Sequence, residues 1–139
     1  MPCRTYLGEV RERLDEVAEA GARFVVVGGH ADYQARHLRD DRGISDVPLL
    51  LDPDQELRRL AGLGRMRRRD MVSWRGVRNY LSSFGRGSRP GRVVAGYDLR
   101  PGVILVSPEL NVEKVWSGDT WGDYPDFDEV LSELGRRAP

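Results

Sequence analysis

The sequence predicts an α/β layer fold with mostly parallel strands, followed by an antiparallel hairpin and a closing helix. Three observations carry that expectation. Apolar residues at helical spacing over 4–20 run into the continuous apolar stretch Phe24-Val25-Val26-Val27. A second short apolar run, Val47-Pro48-Leu49-Leu50-Leu51, meets the turn Asp52-Pro53-Asp54 and then another helical pattern. Near the C-terminus the runs 102–106 and 112–116 are separated only by Ser107-Pro108-Glu109-Leu110-Asn111. Helices that alternate with buried strands point to parallel layers, whereas so short a connection requires an antiparallel pair.

Each element follows from its pattern. Leu7, Val10, Leu14 and Val17 step by three, four and three, which places them on one face of a helix over Arg4–Ala20. Glu9, Glu12, Asp15, Glu16 and Glu19 fall largely on the other face, and Gly21 is placed to end the helix. Arg23–Val27 reads as a buried strand that ends in Gly28-Gly29. Ala31–Asp41 is expected to be a shorter helix with Tyr33 and Leu38 inward, stopping near Gly43. The strand Asp46–Leu51 leads through Asp52-Pro53-Asp54, which is expected to cap a helix over Gln55–Ala61.

Residues 62–70, rich in glycine and arginine, are expected to be a loop. Val72, Trp74, Val77, Leu81 and Phe84 then trace a helical face with Arg75 and Arg78 outside, and Gly85–Gly91 breaks that pattern. Gly102–Val106 is a buried strand and Val112–Trp116 alternates as a half-exposed one. Asp126 and Glu129 have the spacing of a capping box for the last helix. Its stripe is Phe127, Val130, Leu131 and Leu134, and its expected stop is Gly135.

The 139 residues suit one domain, and the 40% hydrophobic and 32% charged content suits a folded globular chain. No apolar run approaches the roughly 20 residues that cross a bilayer. Arg4, Glu9, Arg11 and Glu12 interrupt any signal-peptide pattern. The one cysteine, Cys3, cannot form an internal disulfide, so a reducing cytoplasm is the expected compartment. Net charge is zero but unevenly spread. Residues 1–57 hold 7 basic and 12 acidic side chains, 58–92 hold 11 and 1, and 93–139 hold 4 and 9.

Cys3 occupies the opening of the first helix. Unpaired N–H groups and the positive end of the helix dipole favour a thiolate there, although a lone cysteine near a terminus is as readily an incidental side chain. Gly28-Gly29-His30 lacks the full dinucleotide-binding glycine pattern, and no cofactor is expected. His30, His37 and Cys3 have no metal-ligand spacing, so no metal is expected. Trp116, Trp121 and Tyr124 cluster after the hairpin and are read as packing residues.

Four stretches together resemble the thioredoxin-like superfamily, and within it the peroxiredoxin-like alkyl-hydroperoxide-reductase/thiol-specific-antioxidant group. Pro2-Cys3-Arg4 resembles the end of a Cys-x-Pro-Cys-Arg redox motif. The segment from Val47 through Asp52-Pro53-Asp54 to Gly62-Leu63-Gly64 resembles the group's strand–turn–helix piece. Pro101–Val106 resembles the strand behind the superfamily's loop proline, and Gly122-Asp123-Tyr124-Pro125-Asp126 resembles its lead into the last helix. The resemblance implies a thioredoxin-like three-layer α/β/α fold with a mixed sheet. It also implies that the chain starts within the motif, with the first strand and the other cysteine upstream of Met1, so that domain 1–139 is incomplete at its N-terminus.

By the same resemblance, Cys3 is the redox residue, Arg4 holds a thiolate or orients a peroxide, and Pro101 faces the thiol through a cis peptide bond. Activity would be peroxide reduction or thiol–disulfide exchange. The substrate would be a peroxide or disulfide, and an external thiol, thioredoxin-like or of low molecular weight, would restore the sulfur. No membrane partner is expected. The alternative is a catalytically silent thioredoxin-like domain that uses the arginine-rich region 65–92 to bind an acidic partner, with nucleic acid the less favoured ligand.

Overall fold

The structure is a computed structural model that describes residues 2–28, 47–67, 70, 74, 77–78, 81 and 98–137, with Pro2 and Arg4 described for their backbone alone. The helix expected over Ala31–Asp41, with Gly29, His30, His37 and Gly43, lies outside these residues, as does the break at Gly85–Gly91. The chain forms two compact units, each discontinuous in sequence. One comprises Met1–Thr5 with Glu56–Pro125, the other Tyr6–Gln55 with Asp126–Pro139.

The first helix pattern folds as two helices, α1 (Pro2–Glu12) and α2 (Leu14–Glu19), rather than one. Pro2 suits the first helical position because its missing N–H would have no partner there. The break falls at Arg13, whose φ of −122° and ψ of 19° leave helical geometry. Its side chain explains the departure. The guanidinium holds Glu16 at 2.6 Å, reaches Asp128 at 2.6 Å and lies 5.5 Å from the centre of the Phe127 ring. These contacts raise the Arg13 guanidinium above its ordinary value, chiefly through the hydrogen bonds to Glu16 and Asp128, and hold the Glu16 carboxyl down.

The expected stop at Gly21 is present, with φ of +73°. The Gly21 N–H bonds to the Ala18 carbonyl at 2.9 Å and the Ala22 N–H to Val17 at 3.0 Å, the paired bonds of a Schellman cap.

In the unit of Tyr6–Gln55 and Asp126–Pro139, Val10, Val17, Val47, Phe127, Val130 and Leu134 form the buried core, with Val10 fully buried and Phe127 1% exposed. Each large side chain so enclosed contributes about 1.5–3 kcal/mol. The last helix, α4 (Phe127–Arg137), packs on α2. Asp126 caps it: the Asp126 Oδ1 accepts the Asp128 N–H at 3.0 Å. Contrary to expectation the helix does not stop at Gly135. Arg136 and Arg137 both pair with the buried Glu133 one turn back, which holds the final turn helical. Tyr6 meets Phe127 edge-on with ring centres 6.3 Å apart, and burial, aided by Glu9 and Asp126, pushes its hydroxyl up.

The strands of this unit are shorter than their patterns. β1 (Val26–Gly28) and β2 (Leu49–Leu51) pair in parallel, Val26 with Leu49 and Gly28 with Leu51. The run over Arg23–Val27 is expected to be buried, yet Val25 and Val27 are exposed, as are Leu50 and Leu51 of the partner strand. A pair of strands covers too little of its own surface to hide every side chain of an unbroken apolar run.

In the other unit, helix α3 spans Glu56–Leu60, one residue shorter at each end than the sequence suggests. Gln55 takes a φ of +57° and turns its side-chain amide back to the Asp52 carbonyl at 3.0 Å, so it stands outside the helix. The end of α3 repeats the cap seen at Gly21: Gly62 has φ of +69°, its N–H bonds to Arg59, and the Leu63 N–H bonds to Arg58 at 2.9 Å. Leu63 is thereby delivered into the interior, where it is buried with Met66.

Residues 64–66, expected to be loop, pair with 98–100. Arg65 bridges Leu99, the Met66 N–H bonds to Asp98 at 2.7 Å, and the Arg65 guanidinium holds the Asp98 carboxylate at 2.7 Å. The hairpin forms between β3 (Gly102–Val106) and β4 (Val112–Ser117), with Val103 opposite Trp116 and a bulge at Leu105/Val106. Its tip turns through Ser107–Asn111, where Leu110 has φ of +65°.

Trp74, Val77, Arg78 and Leu81 are helical, in the expected segment, and Asp70, expected to be loop, is helical as well. Trp74, Val77 and Leu81 are exposed there rather than packed inward.

Candidate functional site

The site is the Cys3 thiol and the loop that meets it. Cys3 is the second residue of α1, and its side chain is exposed. The Tyr124 hydroxyl donates a hydrogen bond to the Cys3 Sγ at 3.1 Å. This contact places the only sulfhydryl of the chain beside a hydroxyl donor contributed from the far end of the same unit.

Local structure fixes where Tyr124 stands. The chain leaves β4 at Ser117 and enters Gly118, whose N–H bonds to the Pro101 carbonyl at 2.9 Å. A side chain at Gly118 would have no room, because its Cβ would overlap the Asp123 carbonyl oxygen and lie 2.9 Å from the Pro101 ring. The Asp123 side chain accepts the Asp119 N–H at 2.9 Å, and the Asp123 N–H reaches Thr120 at 3.2 Å. That turn needs Gly122, which has φ of +73°. Arg100 ties the same loop to the start of β3 by pairing with the Asp119 carboxylate and donating to the Gly118 carbonyl at 3.4 Å. Pro125 follows and restricts Tyr124 to extended backbone.

The aromatic cluster after the hairpin is therefore not uniform. The Trp116 ring carries the Lys114 ammonium 4.6 Å from its centre and Trp121 is half-buried, while Tyr124 turns its hydroxyl to the thiol. Reading all three as packing residues missed that role. Its one signal in the sequence is the Gly-Asp-Tyr-Pro-Asp lead into the last helix.

Of the residues singled out beside Cys3, Pro101 heads β3 in the same unit, with its carbonyl engaged by Gly118. Its peptide bond is trans, against the cis bond the resemblance implies. Trans is the ordinary state for a proline that precedes a strand. Arg4 lies in α1, with its side chain outside the described residues. Of the arginines of region 65–92, the described Arg65, Arg67 and Arg78 are exposed, and Arg65 is paired with Asp98. No group of three or more His, Cys, Asp or Glu among the described residues could hold a metal ion, and no helix among them is long and apolar enough to cross a membrane.

Comparison with known proteins gives no match to a family model, to a curated protein or to a solved structure.

Proposed function

We propose that this chain is a thioredoxin-fold, peroxiredoxin-like protein of the cytoplasm, acting through Cys3 in peroxide reduction or thiol–disulfide exchange. The hydrogen bond from the Tyr124 hydroxyl to the exposed Cys3 Sγ carries the reading. A donor aimed at sulfur supports the negative charge that sulfur bears as a nucleophile, and Cys3 stands in the first turn of α1, at the positive end of the helix dipole.

In the peroxide reaction the thiolate sulfur attacks one peroxide oxygen and the O–O bond breaks. Sulfur is oxidised to a sulfenic acid, and the other oxygen leaves with a proton as water or an alcohol. An external thiol then condenses with the sulfenic acid, releasing water and forming a mixed disulfide. A second thiol reduces that disulfide and returns Cys3. Exposure of Cys3 leaves the sulfur open to both co-reactants. Arg4 and Pro101 belong to this reading as residues beside the thiol in the redox motif and the loop.

The experiment is exposure of the purified chain to a small excess of hydrogen peroxide, with dimedone as a sulfenic-acid trap and intact-mass detection. A dimedone adduct on the chain, absent from Cys3→Ser, is the expected result. A chain that gives no adduct, and no mixed disulfide with an aromatic disulfide reagent, is not a thiol redox protein.

A further inference from the structure

The electrophiles open to a thiolate shed leaving groups that differ in their need for a proton. A peroxide sheds an oxygen whose conjugate acid is as weak as water, titrating near about 15.7, so it departs well only when a proton is supplied. A disulfide sheds a thiolate, whose acid titrates near about 8.5. An ordinary phenol, at about 10, lies between the two. A phenolic hydroxyl therefore gives its proton to a departing oxygen and keeps it beside a departing sulfur.

The Tyr124 hydroxyl is such a group, 3.1 Å from a Cys3 Sγ that is exposed to incoming reagents. The chain fixes it from both sides. Before it, the Asp123 carboxylate is tied to the Asp119 N–H at 2.9 Å, and after it Pro125 restricts the backbone. The hydroxyl hydrogen alone is free to rotate. It points at sulfur before the reaction and turns to an oxygen brought beside that sulfur.

Resting on Cys3 as the redox sulfur, we propose that Tyr124 is the proton donor to the leaving oxygen, and that the substrate of this site is a peroxide rather than a disulfide. The Cys3 thiolate attacks the near oxygen, and the S–O bond forms as the O–O bond breaks. The far oxygen takes the Tyr124 proton, directly or through one water, and departs as water or an alcohol. Sulfur is oxidised to the sulfenic acid and the peroxide is reduced. The phenolate regains its proton from solvent, and the external thiol restores Cys3.

The test compares the full chain with Tyr124→Phe toward three reagents. Hydrogen peroxide and peracetic acid are followed by the dimedone adduct, and iodoacetamide by the alkylated mass. Acetate and iodide leave without a proton, whereas hydroxide needs one. A hydroxyl that only steadies the thiolate is worth the same toward all three. Proton donation adds a loss for hydrogen peroxide alone. That loss is expected to be about a hundredfold, the lower end of general-acid catalysis, against roughly threefold to tenfold for the other two. Far-UV circular dichroism confirms that the variant is folded.

Equal losses toward the three reagents overturn the proton-donor role, while an adduct on the parent keeps Cys3 as the redox sulfur. A parent that gives no adduct with hydrogen peroxide, yet forms a mixed disulfide with an aromatic disulfide reagent, overturns the choice of peroxide and leaves thiol–disulfide exchange. A parent inert to both overturns the thiol reading and this inference with it.

Discussion

The Tyr124 hydroxyl and the Cys3 sulfur meet at 3.1 Å although 121 positions separate them in the chain. Removing the hydroxyl while keeping the ring tests what that contact does. Hydrogen bonds to charged groups contribute about 1.5–3 kcal/mol, and less where water competes. Tyr124→Phe is therefore expected to slow iodoacetamide alkylation of Cys3 at neutral pH by roughly threefold to tenfold, with an unchanged far-UV spectrum. Equal rates in the two proteins would mean that the hydroxyl does not act on the sulfur.

Gly118 holds the same contact from a distance. Its would-be Cβ collides with the Asp123 carbonyl, a backbone atom that cannot move without shifting Tyr124. Gly118→Ala is expected to cost about 1–3 kcal/mol in urea unfolding, the usual toll of forcing an extra carbon into packed surroundings. It is also expected to reproduce the alkylation defect of Tyr124→Phe. Loss of stability with normal alkylation would uncouple the loop from the thiol.

At the hairpin tip Leu110 occupies the left-handed region while 83% exposed, so it bears strain and gives little burial in return. Such a conformation costs an L-residue about 1–2 kcal/mol, part of which glycine returns through its more flexible unfolded chain. Leu110→Gly is expected to raise stability by about 0.5–1 kcal/mol, read as a higher unfolding midpoint with the same urea slope. A lower midpoint would show that Leu110 has a packing role.

Acid should loosen the junction of α1 and α2. The Glu16 carboxyl is held below the ordinary carboxylate range by its hydrogen bond from Arg13. The unfolded chain then binds more protons than the folded one between the lowered and ordinary values. The stabilisation is present above the ordinary value and is lost as pH falls through the lowered one. Thermal unfolding followed from neutral pH downward is expected to show a shallower acid decline in Arg13→Gln than in the parent. Parallel profiles would assign the acid sensitivity to other carboxylates.

Features written in local spacing were legible in the sequence. The face of Leu7, Val10, Leu14 and Val17 follows from helical period, and the cap at Gly21 from the one residue type that takes positive φ without strain. The two strands on either side of Ser107–Asn111 could pair in only one sense. The Asp126 cap needed nothing beyond its own carboxylate and the N–H two residues on.

Other features depended on distant partners and left no local mark. The break at Arg13 arises with contacts to Asp128 and Phe127, which no period around residue 13 reveals. Residues 64–66 carry no strand pattern, yet they pair because 98–100 come alongside. Exposure of Val25, Val27, Leu50 and Leu51 depends on what covers a strand, and an apolar run reports only what would be favourable to cover. At the site, the cysteine and the proline stood out by residue type. Tyr124 did not, because a tyrosine that packs and one that donates to sulfur look alike in a linear chain.

The division of the chain into interleaved pieces bears on its synthesis. Tyr6–Gln55 shares its unit with Asp126–Pro139, and Met1–Thr5 shares the other with Glu56–Pro125. A nascent chain emerges from the ribosome in order, so α2 waits for α4 before Val17 and Phe127 can be enclosed, and the thiol waits for Tyr124. Neither half can mature as a separate early product, and a stalled ribosome would hold both unfinished, with their apolar side chains open to chaperones.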